Sequence, residues 1–304
     1  MTRRGLVLFA AMSVIWGIPY LFIRIAVDEI TPAVLVFGRT AIATAILLPF
    51  ALLRVDLRPV LARWRWVVAF AVIEIAIPWV LLATAEQQLS SSLTGLLIAG
   101  TPLAGVVIAY VSGGDRLGRT ALFGLLLGLV GVIAIVGADF RVDDAGSLLA
   151  LLGVVICYAL GPAILARRLG GLPSLGIMAL SLAGTALLYA PVAAAQWPAT
   201  TPFRDVLLSV LVLGTVCTAA AFLVFAALID EIGPVRATVI TYVNPAVAAV
   251  LGVVVLGETF TLAMGMGFAL VIAGSAISTR RPATPATATE PRPDGSTEPR
   301  LGPA

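Results

Sequence analysis

Residues 101–137 read TPLAGVVIAYVSGGDRLGRTALFGLLLGLVGVIAIVG, and residues 244–278 read NPAVAAVLGVVVLGETFTLAMGMGFALVIAGSAIS. Both stretches have one plan. A polar residue and a proline lead an apolar run, an acid follows near its end, and a second apolar run is studded with glycine. The matches fall at one offset: Pro102 to Pro245 (245 − 102 = 143), Asp115 to Glu258, Gly124 to Gly267, Gly131 to Gly274, and Thr101 to Asn244. Arg24 and Arg167 extend the same offset to the beginning of each half. A fixed period over ordered positions is the signature of an internal repeat.

Working outward, apolar runs of helical span length recur along the chain. They lie at 5–26, 31–53, 66–85, 89–112, 118–137, 146–166, 174–195, 206–229, 234–256 and 260–279. About 20 apolar residues suffice to cross a ~30 Å hydrocarbon core as a helix. Composition agrees: the 304 residues are 60% hydrophobic and 12% charged, with mean hydropathy +1.08, far from a soluble domain. The expected fold is therefore an all-α membrane protein of about ten transmembrane helices. Five spans per half is an odd number, so the second half enters the membrane upside down, as an inverted repeat with the site near the midplane. The expected domains are 5–137 and 146–279, followed by a disordered cytoplasmic tail, 282–304, rich in Pro, Thr, Ala and Glu.

All 19 basic residues are Arg, and Arg marks cytoplasmic loops. With the N-terminus inside, the inside segments hold Arg3, Arg4, Arg54, Arg58, Arg63, Arg65, Arg116, Arg119, Arg167, Arg168, Arg236, Arg280 and Arg281. The outside segments hold only Arg24, Arg141 and Arg204. Both termini are expected in the cytoplasm and the chain in the cell (cytoplasmic) membrane. Arg3-Arg4 before an apolar run mimics a signal segment, but no small-residue cleavage site follows, so a retained first helix is expected. The net charge of +3 reflects topology and implies no nucleic-acid partner.

Glu74 lies mid-span between Ile73 and Ile75. An acid there costs on the order of 3 kcal/mol to insert and marks an ion, proton or ligand site by default. It is a candidate for proton coupling or for holding a substrate ammonium. The plain structural alternative is a fixed ion pair, for which Arg39 in the second span is the available partner. Polar and aromatic stripes at helical spacing supply candidates for a substrate cavity: Trp16 and Tyr20 with Ser13, Tyr158, Thr218 with Thr215 and Phe222, and Thr241, Tyr242 and Asn244. The same residues would also serve for packing between helices. Pro102 and Pro245, repeated by the offset, are candidates for kinks or hinges. Arg39, Asp115 and Glu258 read as structural charges, the two acids as caps of the helices that follow them. Gly124-x-x-x-Gly128 suits helix packing within the chain or a homodimer face.

The chain has no His, no Walker A sequence and no Gly-x-Ser-x-Gly elbow. Cys157 and Cys217 sit in apolar runs and read as core residues. No catalytic site, metal or cofactor is expected. A membrane-embedded enzyme and a non-transporting receptor or assembly protein are therefore the weaker alternatives to a transporter.

These residues resemble the drug/metabolite transporter superfamily, specifically its EamA-type branch. The resemblance rests on Trp16-Gly17, Pro32 and Arg39, Pro102 with Asp115, the Gly124/Gly131 helix, and Pro245 with Leu256-Gly257-Glu258. It covers about residues 5–279. It implies two EamA domains in inverted repeat around a shared cavity, and secondary-active export of amino acids, other metabolites or drugs by alternating access. Asp115 departs from the Glu common in such proteins but keeps the charge.

Overall fold

The computed structural model describes residues 2–111, 118–137, 145–232 and 240–278. Asp115 and the expected tail lie outside them. Among the described residues the chain is helical without strands. Eight helices are long and apolar enough to span a membrane: α1 (Arg3–Ala26), α2 (Pro32–Arg54), α3 (Trp64–Ala85), α4 (Ser91–Ile108), α5 (Arg119–Gly137), α6 (Ala145–Arg168), α7 (Ser174–Ala195) and α8 (Arg204–Ile229). Two shorter apolar helices follow, α9 (Ile240–Leu256) and α10 (Leu262–Ser278). The first residues of the span expected at 234–256 are outside the described part.

Several helices are broken where the sequence demands it. In α1 the helix stops at Ile15 and restarts at Pro19, which sits at the first helical turn where its missing N–H costs nothing. Gly17, in the break, lies against α9: a Cβ there would come within 2.5 Å of Val247 Cβ and 2.9 Å of the Asn244 carbonyl oxygen. In α4 the break falls at Ala99-Gly100, just before Thr101-Pro102. Pro245, its repeat counterpart, instead sits inside an uninterrupted helix.

Two wide turns of π-helix interrupt α3 and α8, at Ala71–Ala76 and Thr215–Ala220. They lie 144 positions apart (215 − 71). Their causes differ. In α3, Pro78 cannot donate to the Glu74 carbonyl and its ring crowds that group, so the turn above it widens. In α8 there is no proline; Thr215 and Thr218 hydroxyls donate to the carbonyls of Leu211 and Leu213, both at 2.7 Å, competing with the backbone ladder.

Packing pairs α2 with α7, α4 with α9, and α5 with α10. The α5–α10 contact is backbone against backbone. A Cβ at Gly124 would lie 2.7 Å from the Gly274 carbonyl oxygen, and one at Gly131 2.6 Å from that of Gly267. The two helices therefore run antiparallel, glycine on glycine. The Gly124-x-x-x-Gly128 face is thus occupied within the chain. The largest apolar cluster joins α1, α2, α3 and α4 to α5, α6, α8, α9 and α10, with Leu96, Ile135, Val154, Leu213 and Ala248 fully enclosed. On the outside, large apolar side chains such as Leu53, Val111, Leu187, Val254 and Leu262 are exposed, as a lipid-facing surface requires.

Candidate functional site

The centre of the molecule is organised by Arg39. Its place on α2 buries it to 7% exposure. The guanidinium stacks on the Trp79 ring of α3, 3.7 Å from the centroid. Its Nε–H donates to the Thr218 hydroxyl at 2.9 Å, and that hydroxyl donates onward to the Leu213 carbonyl. The π turn of α8 thus points a hydroxyl at a buried cation. Tyr20 of α1, Tyr158 of α6 and Glu86 lie within electrostatic reach of the same guanidinium. Trp79 and Tyr158 are neighbours in this group.

Glu74 projects from the other π turn, toward α6. A Cβ on Gly161 would overlap its Oε2, so the glycine provides the space the carboxylate occupies. That oxygen is buried and without a hydrogen-bond partner. Tyr158, one turn before Gly161, is electrostatically coupled to it. The ion pair with Arg39, the structural alternative for Glu74, is not among the ion pairs of the described residues. Arg39 is spent on Thr218 and Trp79, and the ion pairs among the described residues are Arg4–Glu231 and Arg24–Asp28.

The structure therefore gathers Tyr20, Tyr158 and Thr218 around Arg39 and Trp79, with Glu74 linked to that group through its coupling to Tyr158. It leaves the other candidates elsewhere. Trp16 packs on Phe225 and Phe222 of α8, with ring centroids 4.7 Å and 6.5 Å away. Asn244 ties α9 to α1, its amide nitrogen donating to the carbonyls of Ile240 (2.9 Å) and Ser13 (3.1 Å). Tyr242 is half-buried and Thr241 exposed on α9.

Glu258 is a cap, but not of the helix that follows it. Gly257, at φ +66°, turns the chain sharply after α9, so the carboxylate reaches back to α4. Its two oxygens accept from the backbone N–H groups of Ser91 (2.7 Å) and Ser92 (2.9 Å), and Oε2 also from the Ser92 hydroxyl (2.5 Å). Ser90 caps Leu93 N–H at 3.2 Å. The start of α4, a natural site for negative charge, is satisfied by an acid from the far end of the chain. Gly252 makes room, since a Cβ there would lie 2.2 Å from Glu258 Oε2.

Sequence reasoning missed Glu86 and Trp79. Glu86 is fully buried just past the end of α3, and neither carboxylate oxygen has a hydrogen-bond partner. Glu258, Tyr20, Arg24 and Arg39 are its electrostatic neighbours. A signal was present: an acid at a helix C-terminus faces the negative end of the dipole and is out of place there without a reason. Among the described residues no cluster of His, Cys, Asp and Glu could hold a metal ion.

The EamA-like transporter family matches residues 3–137 and again 145–280. The chain belongs to that family. Among its relatives, the Escherichia coli K12 protein named as the uncharacterized inner membrane transporter YedA is 29% identical over 273 residues, covering 86% of this chain and 88% of the relative. The Bacillus subtilis (strain 168) protein named as the uncharacterized transporter YvbV is 25% identical over 280 residues, 89% and 90% of the two chains. A solved crystal structure, 22% identical, superposes with a TM-score of 0.64 over 92% of this chain and 97% of that one, which shows a shared fold. The EamA-family chain is thus a multi-pass membrane transporter of the cell membrane, with a small-molecule substrate.

Proposed function

We propose that this transporter is a secondary-active exporter of small zwitterionic solutes, amino acids before other metabolites or drugs, working by alternating access. The carrying observation is a pair of ionisable groups that form no direct ion pair among the described residues, both within electrostatic reach of Tyr158. Among the described residues Arg39 makes no ion pair, and Glu74 Oε2 has no hydrogen-bond partner. An unpaired Arg in the bilayer interior costs about 3 kcal/mol, which a bound carboxylate would offset. Arg39 takes the substrate carboxylate with Thr218 and Tyr20 beside it, Trp79 and Tyr158 wall the solute, and Glu74 takes the ammonium. A proton competes with the ammonium for Glu74, so one carboxylate exchanges proton for substrate. Glu86 is a second proton site of the same kind.

Residues 5–137 and 146–279 are the moving halves, related as an inverted repeat with both termini cytoplasmic. The antiparallel Gly124–Gly274 and Gly131–Gly267 contacts, the paired π turns and the Arg bias all support this arrangement. Arg39, Thr218 and Tyr20 are buried, so one half must swing to admit a solute. A reporter fused after Arg281 reads out in the cytoplasm if the topology holds, and in the periplasm if it does not.

The test of substrate is efflux from proteoliposomes with an imposed pH gradient over a panel of amino acids, other metabolites and drugs. Zwitterions move fastest, and their mono-charged analogues, methyl esters or amines without a carboxylate, move poorly. Equal movement of the analogues would contradict the proposed ligand set.

A further inference from the structure

At one end of the helices, away from the Arg39 site, the turn into α3 and the end of α6 line an open depression of about 610 Å³. Arg63, Arg65, Arg167 and Arg168 line it together with Trp64 and Trp66. Its architecture is specific. The short helix Arg58–Ala62 and the start of α3 form one wall, and the last turn of α6 forms the other. Arg63 Nη1 donates to the Arg168 carbonyl oxygen at 2.9 Å, tying the walls together and occupying an open helix-terminal acceptor. The Arg168 guanidinium lies over Trp66, 4.4 Å from the ring centroid, and Arg65 lies 5.7 Å from that of Trp64.

No acid lines this cavity. Asp56, the nearest acid along the chain, accepts from the Arg58 backbone N–H at 2.9 Å and caps that turn. Four guanidinium groups thus converge without an ion pair among the described residues. Beside them, Leu53, Leu61 and Trp64 are exposed where two spans end. Tryptophan belongs at the depth where acyl chains give way to headgroups. The cavity therefore has a cationic interior next to an apolar, interfacial rim. Guanidinium forks match phosphate oxygens two at a time. Basic pockets between spans on the cytoplasmic side suit anionic headgroups.

We propose that this cavity binds the phosphodiester headgroup of one anionic phospholipid, its acyl chains lying along the exposed apolar rim. Arg65 and Arg167 are the phosphate ligands, since among the described residues neither makes a hydrogen bond that ties the walls, as Arg63 does. Arg63 keeps the two walls together, and Trp64 and Trp66 set the depth.

The test is native mass spectrometry of the purified full chain, titrated with dioleoylphosphatidylglycerol, dioleoylphosphatidylcholine or inorganic phosphate. One phosphatidylglycerol per chain should be retained over phosphatidylcholine. R65Q/R167Q should weaken phosphatidylglycerol roughly 30-fold, from two lost charge contacts at the interface. R3Q/R119Q, which removes equal charge outside the cavity and its rim, should leave it unchanged. The proposal is overturned by equal retention of phosphatidylcholine, or by an R65Q/R167Q variant that binds like the parent. It is likewise overturned if inorganic phosphate displaces the lipid at matching concentration, which would make the site one for free anions.

Discussion

The π turns of α3 and α8 are the same deformation in corresponding places, yet they present different chemistry. Position 74 is Glu, and 144 positions later position 218 is Thr. The first turn widens because Pro78 withholds a donor, the second because two Thr hydroxyls intrude on the ladder. Glu74 is left with a buried oxygen lacking a partner, whereas Thr218 is doubly bonded, to Arg39 and to Leu213. The lesson is that a repeated scaffold need not repeat its site. The backbone deformation recurs while the side chains differ: one turn organises a buried cation, the other holds an acid with a buried unpartnered oxygen, the group proposed to exchange what it binds.

The largest effect should come from removing the fixed cation. Arg39→Gln leaves Thr218 and Trp79 in place but takes away the charge-assisted contact to a carboxylate. Efflux of zwitterions at low concentration should fall roughly 100-fold, while the variant still assembles in the membrane. An Arg39→Gln protein that transports amino acids at the parent rate would dissolve the distinction between the turns.

Next is the space beside Glu74. Gly161→Ala puts a methyl group where Glu74 Oε2 now lies, so the carboxylate must rotate away. Gradient-driven efflux should drop about tenfold, the scale of a misplaced reacting group. The Arg39–Thr218 side, read as inhibition by a carboxylate without an ammonium, should be unaffected. Equal loss of both readouts would mean that the site is a single packed unit.

Glu258→Gln probes a joint between the halves. It keeps the shape of the cap but trades a charged acceptor for a neutral one at Ser91 and Ser92. A loss of about 1 kcal/mol is expected, with a lowered thermal midpoint and an unchanged substrate profile. An effect of similar size belongs to Thr218→Val, which removes one hydrogen bond to Arg39 and one to Leu213. About 1 kcal/mol predicts a rise in KM of roughly fivefold with little change in kcat.

Much of this architecture was legible in the primary structure. The runs at 118–137 and 174–195 coincide with α5 and α7 to within a residue, because length and hydropathy decide a span and tertiary context changes little. The repeat offset was visible in Pro, Gly and acidic positions whose chemistry is too specific to scatter. The site was legible in its parts more than in its connections. Tyr20, Tyr158 and Thr218 lie about Arg39 and Glu74 is coupled to Tyr158, but the π turns that aim Glu74 and Thr218 carry no compositional signature. Arg39's choice of Trp79 and Thr218 over Glu74 depends on helix rotation, which hydropathy does not encode. Glu258 was read locally as a cap for α10. It caps α4, about 166 positions back, because Gly257 reverses the chain and contacts of that separation leave no periodic trace. Glu86 escaped notice since it falls one residue past an apolar run, where an acid ordinarily meets water.

The measurement that bears most directly on the central claim is efflux from proteoliposomes under an imposed pH gradient, with Glu74→Gln beside the parent protein. The parent should move an amino acid uphill at the expense of the gradient, and Glu74→Gln should allow only downhill movement insensitive to it. A Glu74→Gln protein that still drives uphill efflux with the parent's pH response would contradict the assignment of exchange to the α3 turn.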